Sequence, residues 1–277
     1  MTYKMVCIDL DGTLLNSNKK ISNYTLNILR EVHEKGLHII ITTGRTYSSA
    51  RIYYELLGIN CPIICSSGAT ILSPYLNNTL YNSSFNYNEL LNLLDIFNKN
   101  RLNFNFYSNN DIYSNNIITF LLTKLIYLKQ GYSNDFNIRH KIVRRDEWEK
   151  LFKSNELIIK GICYSLRQKK INTLYSLLSK ECTFSSYLNN KNTLEINSLN
   201  INKGNAVKVL STLLNIDKKD IICFGDSEND ISMIKYAGLG ICMANGLDSL
   251  KEVSNMVTSE SNDNDGVAKT LENIILS

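Results

Sequence analysis

Near the start of the chain an apolar run ends in two aspartates at alternate positions, in the stretch VCIDLDGTLLN. Side chains two apart on a strand share a face. Two carboxylates held that close repel each other unless a cation or a shared proton compensates them. Burying the end of such a strand is otherwise unfavourable. Gly12 lets the chain turn sharply just after the pair. Sheets of parallel strands flanked by helices collect ligands at the carboxyl ends of their strands, and this strand end has that character. A calcium loop does not fit, because counting from Asp9 the glycine falls fourth rather than sixth and the twelfth position is Lys20, not a glutamate.

The remaining sequence repeats this alternation. Residues 6–10, 38–42 and 62–65 read as strands. Ser22 is placed to cap a helix running to about residue 35, closed by Gly36, and a second helix over 46–57 is closed by Gly58. The rhythm resumes after Asn202, which is placed to cap a helix through Leu214. Strands over 221–224 and 240–243 and helices over 230–236 and 267–276 follow. This order predicts a parallel sheet with helices on both faces. Between about 83 and 192 the chain is rich in Asn, Tyr and Lys, and its strands alternate more strictly (FNFYS, LIIKGICYSL, CTFSSYL, TLEIN). Helices are expected near 88–99, 116–129 and 167–179. The expected fold is therefore α/β, a Rossmann-like doubly wound parallel-sheet core from residues 1–82 and 193–277, with an α+β domain inserted at 83–192.

At 277 residues the chain suffices for two domains and needs no covalent staples. Its net charge of +4 comes without a basic tract, so nucleic acid is not an expected partner. The first apolar run is broken by Asp9, which argues against a leader. The run over 117–128 contains Lys124 and is too short to span a bilayer, so no membrane is expected. Seven cysteines with no CxxC, four of them (Cys7, Cys163, Cys223 and Cys242) in apolar runs, read as buried thiols of a cytoplasmic protein. His33, His38 and His140 have no Ser or Cys partner at a recognisable elbow and are taken as structural. GLGICM at 238–243 precedes a strand and lacks the third glycine of a dinucleotide loop, and no GxxxxGK[ST] occurs.

Three further stretches carry chemistry. IIITTGR, residues 39–45, ends a buried strand in hydroxyls and free backbone N–H groups, which suit a phosphate oxygen. In NINKGNAV, residues 200–207, Lys203 opens a helix, where a cation works against the helix dipole and implies an anionic partner. In IICFGDSENDISMI, residues 221–234, Asp226 again stands at a strand end, Asn229 follows, and Asp230 is placed to cap a helix. Hard oxygen ligands at strand ends suit Mg²⁺. Thr, Lys and backbone N–H groups suit a phosphoryl group.

With these motifs in this order the chain resembles the haloacid dehalogenase superfamily of phosphotransferases, in its Cof-type, sugar-phosphatase-like branch. The signature is DxDGT at 9–13, TGR at 43–45, Lys203-Gly204, and GDxxND at 225–230; SNDNDGVA at 261–268 is also similar to that branch. Two stretches depart from it: Ser67-Gly68-Ala69 stands where Asn-Gly-Ala is common, and in EINSLNINKG the residues before Lys203 lack the usual Pro and Gly. The resemblance implies a Mg²⁺-dependent phosphomonoesterase acting on a small phosphorylated metabolite through an aspartyl-phosphate. A phosphomutase or a catalytically silent phospho-metabolite-binding regulator on the same core are the alternatives. It implies Asp9 as nucleophile and Asp11 as general acid and then base. The metal is held by Asp9, the Asp11 backbone carbonyl and Asp226. Leu10, Thr43, Gly44, Lys203 and Asn229 hold the phosphate, and Arg45 and Asp230 support the site. On this view Asp11 starts protonated, its pKa raised by burial and by Asp9, while the metal keeps Asp9 ionised. The inserted domain is implied to be a cap, with Tyr107, Tyr113, Tyr164 and Tyr187 as candidate lining residues.

Overall fold

The computed structural model describes residues 3–73, 78–109, 111–129, 139–181 and 184–277. The chain forms two compact units, residues 1–82 with 202–277, and residues 83–201. The first contains a sheet in the order Met256–Val257, Leu239–Cys242, Ile221–Gly225, Met5–Ile8, His38–Thr42, Ile63–Cys65, Thr70–Ser73, Asn78–Asn82. The first six strands run parallel, and the last two are added antiparallel. Met5–Ile8 lies at the centre and is buried along its whole length, as are Ile63–Cys65 and Ile221–Gly225. A strand covered by helices on both faces has no polar side to show, which is why these segments read as unbroken apolar runs. Their Met, Val, Ile, Cys and Phe side chains form one cluster with the inner faces of the flanking helices, each large side chain contributing roughly 1.5–3 kcal/mol of burial.

Local signals set the ends of the elements. The Ser22 hydroxyl accepts the Thr25 N–H at 3.0 Å and starts the helix Asn23–Glu34. Gly58 closes Tyr47–Leu57 in the left-handed region. Asn202 accepts the Asn205 N–H at 2.8 Å and starts Lys203–Leu213. The expected helix at 230–236 begins one residue later, at Ile231, after a 3₁₀ turn at Glu228–Asp230. The last helix, Gly266–Leu271, passes into a π turn at Glu272–Leu276.

The second unit has a sheet in the order Phe184–Asn190, Thr193–Ser198, Lys160–Tyr164, Asn103–Tyr107, Asp111–Ser114, Arg139–Ile142, antiparallel except for the last pair. It runs to Ile201 instead of stopping at 192, because Thr193–Ser198 is hydrogen-bonded between two of its strands. One face is an aromatic core of Phe97, Phe104, Phe106, Trp148 and Phe152, with ring centroids 4.8–5.9 Å apart. Tyr113 belongs to this core, its hydroxyl donating to Asp111 at 2.9 Å, so it is not a surface lining residue. Tyr107 and Tyr164 lie together in a polar network, each hydroxyl 3.2–3.3 Å from Asn105 and 3.2 Å from the other. Tyr187 stands on Phe184–Asn190, half-buried. The six described cysteines are free and buried, and Cys182 lies outside the described residues. Among the described residues no helix is long and apolar enough to cross a membrane.

His140 gives the second unit a pH dependence. Its Nε2 lies 2.6 Å from the Ser114 hydroxyl and its ring packs on Phe120 at 4.2 Å between centroids. Burial, with the Lys124 ammonium, lowers its pKa from 6.5 to about 4. The folded protein binds this proton less tightly than the unfolded chain does, so the contribution is full above pH 6.5 and is lost as the pH falls toward 4. His140→Gln should lose less of its urea midpoint than the parent between those pH values. Parallel curves would show that His140 is not linked to folding.

Candidate active site

Asp9 follows the central strand directly and is buried, its N–H bonded to the Phe224 carbonyl at 3.1 Å. A buried carboxylate needs a partner, and Lys203 supplies it. The Lys203 Nζ, itself fully buried, donates to Asp9 Oδ1 and to Asp230 Oδ1, each at 2.6 Å. The second oxygen of Asp230 accepts the N–H groups of Asp226 and Ser227 at 3.1 and 3.0 Å. Asp230 therefore does not make the side-chain cap bond to the following helix that its position in sequence suggested. Instead it fixes the turn carrying Asp226 and anchors Lys203. Lys203, the opening cation of the helix Lys203–Leu213, is not a surface lysine but the centre of an ion triad.

Asp226 stands at the end of Ile221–Gly225, where its Oδ1 accepts the Thr13 hydroxyl at 3.0 Å. Gly12 makes this approach possible: its φ is +81°, and a Cβ on it would stand 2.4 Å from Asp226 Oδ2. Carboxylate oxygens of Asp9, Asp226 and Asp230 lie within 4.8 Å of one another. The Lys203 ammonium bonds two of them, Asp9 and Asp230. Burial, with the charges of Asp230 and Asp226, pushes Asp9 well above the usual carboxylate range despite Lys203. Burial and the Asp230 charge raise Asp226 to about 6. Lys203 itself is raised by the two carboxylates against the cost of its burial. This excess of acid suits a further cation, and the carboxylate oxygens of Asp9 and Asp226 are hard donors of the kind Mg²⁺ takes. Asp230, with both oxygens engaged, is suited to support rather than ligation.

Asp11 differs from expectation. Its carboxylate is bound by Arg45 through Nε to Oδ2 and Nη2 to Oδ1, both at 2.6 Å, and by Lys19 Nζ to Oδ1 at 2.8 Å. Its own burial opposes ionisation, but the two cations outweigh that and lower its pKa to about 2. The expected asymmetry is thus inverted within the protein's own groups, with Asp11 held ionised and Asp9 raised. Lys19 carried no sequence signal. It lies eight positions beyond Asp11, and only the fold of the Asn16–Lys20 turn brings it back.

The TGR turn is next to this pair. Thr43 is buried, its N–H bonded to the Ile64 carbonyl at 2.9 Å and its hydroxyl accepting the Arg45 N–H at 3.1 Å. A Cβ on Gly44 would stand 3.3 Å from Ser67 Oγ and 3.8 Å from Asn229 Nδ2, so Gly44, Ser67 and Asn229 adjoin. Asn229 Oδ1 accepts the Ser227 hydroxyl at 2.8 Å, which leaves its amide facing that side. Ser67, at the departure from the common Asn-Gly-Ala, is buried with φ +57° and donates its N–H to the Thr43 carbonyl at 3.0 Å. Leu10 is buried, its carbonyl accepting the Leu15 N–H at 2.8 Å. All the singled-out core residues therefore gather at the carboxyl ends of three neighbouring strands.

Comparison with known proteins agrees with this arrangement. Residues 6–271 match the family model of haloacid dehalogenase-like hydrolases. The chain is 31% identical over 273 residues, covering 99% of it and 96% of the relative, to the 5-amino-6-(5-phospho-D-ribitylamino)uracil phosphatase YcsE of Bacillus subtilis. A solved haloacid dehalogenase-like hydrolase of B. subtilis superposes with a TM-score of 0.82 at 25% identity, covering 98% of this chain and 100% of that one. A sugar phosphatase of subclass IIB shares the fold, with a TM-score of 0.77 at 21% identity over 98% of each chain. Carboxylates, ammonium and hydroxyls gathered at the carboxyl ends of neighbouring strands are what a phosphoryl-transfer core needs, and with these matches the chain belongs to the Cof-type branch of the haloacid dehalogenase superfamily and is a phosphatase of small phosphorylated molecules.

Proposed function

We propose that the protein is a Mg²⁺-dependent phosphomonoesterase that hydrolyses a sugar phosphate or a similar small metabolite through an aspartyl-phosphate on Asp9. The observation that carries this reading is the buried Asp9 carboxylate beside Lys203 and Asp226, with the Thr43–Gly44 turn and Asn229 alongside. The ribityl phosphate ester named in the activity of the B. subtilis relative belongs to the same substrate class.

An Asp9 oxygen attacks phosphorus and the ester P–O bond breaks. Asp11 gives its proton to the leaving oxygen, then takes one from the water that attacks the acyl-phosphate. Inorganic phosphate leaves and Asp9 is regenerated. Asp11 starts ionised between Arg45 and Lys19, so the donor role requires it to leave at least one cation and gain a proton. Lys203, the Thr43 hydroxyl, the N–H groups of Leu10 and Gly44, and the Asn229 amide serve the phosphoryl oxygens. Their positive charge and donors are most valuable where charge spreads in a loose transition state. Asp9, Asp226 and the Asp11 carbonyl would hold Mg²⁺, which supplies charge neutralisation between nucleophile and phosphate.

Removal of the cation tests this reading. Dialysis against a chelator should abolish turnover of p-nitrophenyl phosphate, and Mg²⁺ should restore it. Mg²⁺ at about 100 times its Kd should stabilise the protein by about 2.7 kcal/mol, read as a rise in Tm that Asp226→Asn removes. Activity indifferent to the chelator would rule the metal out.

A further inference from the structure

The turn Ser261–Asp265 has no part in the chemistry above, yet it holds the loop that follows Asp11 at several points. Asp263 accepts the Ser17 N–H and hydroxyl, each at 2.7 Å. Asn262 donates to the Leu15 carbonyl at 2.8 Å, and its N–H goes to Asn245 Oδ1, whose amide in turn donates to the Gly12 carbonyl at 2.8 Å. Asp265 accepts the hydroxyls of Ser22 and Thr25 at 2.5 and 2.8 Å. Between these anchors the chain closes on itself: Asn16 Oδ1 accepts the N–H groups of Asn18 and Lys20, and the Asn16 carbonyl accepts that of Lys19. At the tip Lys19 has φ +58°, a conformation costly for a lysine, and its ammonium reaches Asp11 Oδ1 at 2.8 Å. A strained residue fixed by contacts on both sides points to a function for its side chain.

We propose that Lys19 is a positioning residue for Asp11, held there by the 262–265 turn; the proposal rests on the proton-donor role of Asp11 given above. Arg45 follows the Thr43–Gly44 turn, so an anionic substrate competes with Asp11 for its guanidinium. Lys19 sits on the loop of Asp11 itself and remains as the tether when Arg45 is drawn away. The clamped loop then limits where the freed carboxyl can reach and directs it to the leaving oxygen.

The test compares kcat/KM for p-nitrophenyl phosphate, whose leaving group departs without a proton, with that for glucose 6-phosphate or the sugar phosphate turned over fastest. This ratio reports only steps through departure of the leaving group. Lys19→Met should lower the sugar-to-aryl ratio about tenfold, a fraction of what general acid catalysis supplies. Lys19→Arg should restore it to within about threefold, and Asp263→Ala should lower it as Lys19→Met does. Lys19→Gly accepts the left-handed backbone, so it should keep Tm no lower than the parent's and still lose the ratio. Equal loss on both esters in Lys19→Met and Lys19→Gly would make Lys19 a structural contact only. An unchanged ratio in Asp263→Ala would remove the turn from the proposal. Asp11→Asn separates the two levels: if it too leaves the ratio unchanged, the donor role of Asp11 falls, whatever Lys19 does.

Discussion

Asp9→Asn should give a folded protein whose kcat falls on the order of 10⁴-fold or more, the scale seen when a nucleophile is lost. The carboxylate stands at the end of the central strand, bonded to Lys203 and within 4.8 Å of an Asp226 oxygen. An amide of the same shape keeps the packing but is a far weaker nucleophile. Folding is not at risk. Lys203 retains Asp230 at 2.6 Å, and removing one of three crowded carboxylates relieves repulsion that already raises the pKa of Asp9 and Asp226. The stability change should lie within about 1 kcal/mol. Acid-quenched parent protein, mixed with a phosphate ester, should show mass added by one phosphoryl group on the peptide bearing Asp9, and the variant should not. Turnover above one part in a hundred, or phosphate found on another residue, would remove Asp9 from the nucleophile role.

The contrast between Asp9 and Asp11 marks what was legible in the sequence. Both stand in one short motif, and the apolar run before them identified the strand end correctly. The alternation of runs and helical patterns was enough for the parallel sheet, because a strand covered on both faces must be apolar throughout. Caps at Ser22, Gly58 and Asn202 read directly, since each is a local bond between a side chain or turn and the next few residues. Charge state was not legible. It depends on partners at long range: Arg45 and Lys19 on Asp11, Lys203 and Asp230 around Asp9. Nor was Lys19 itself, whose approach depends on a turn anchored by residues more than two hundred positions away. The end of the second unit was set at 192, one strand too early: Thr193–Ser198 forms a hairpin with the preceding Phe184–Asn190, but its other partner, Lys160–Tyr164, lies some thirty positions back and carries no local signal. Thr13 was visible inside DxDGT, but its bond to Asp226 exists only because Gly12 lets the two segments touch.

Lys203→Met should cost both activity and the fold's stability, and the two losses should separate. Methionine fills similar space, but it leaves Asp9 and Asp230 buried without a cation. Breaking a buried ion pair from one side costs about 3–5 kcal/mol, because the partner charge stays uncompensated. Some of that is mitigated at Asp230, which keeps the N–H groups of Asp226 and Ser227. The unpaired Asp9 carboxylate, already raised by burial, then binds a proton still more readily in the folded protein than in the unfolded chain. The lost stability should therefore return as the pH falls from neutrality toward the ordinary carboxylate range, the reverse of ordinary acid destabilisation. Adding Asp230→Asn to Lys203→Met should recover at least about 1 kcal/mol, since one of the two stranded charges is gone. It should recover no activity, because the ammonium beside Asp9 is still missing. Denaturant unfolding of the single and double variants together with phosphate release measures both quantities. Equal stability of Lys203→Met and the parent at neutral pH would mean that the triad is not a buried ion cluster. Activity regained by the double variant would mean that Lys203 serves the fold alone.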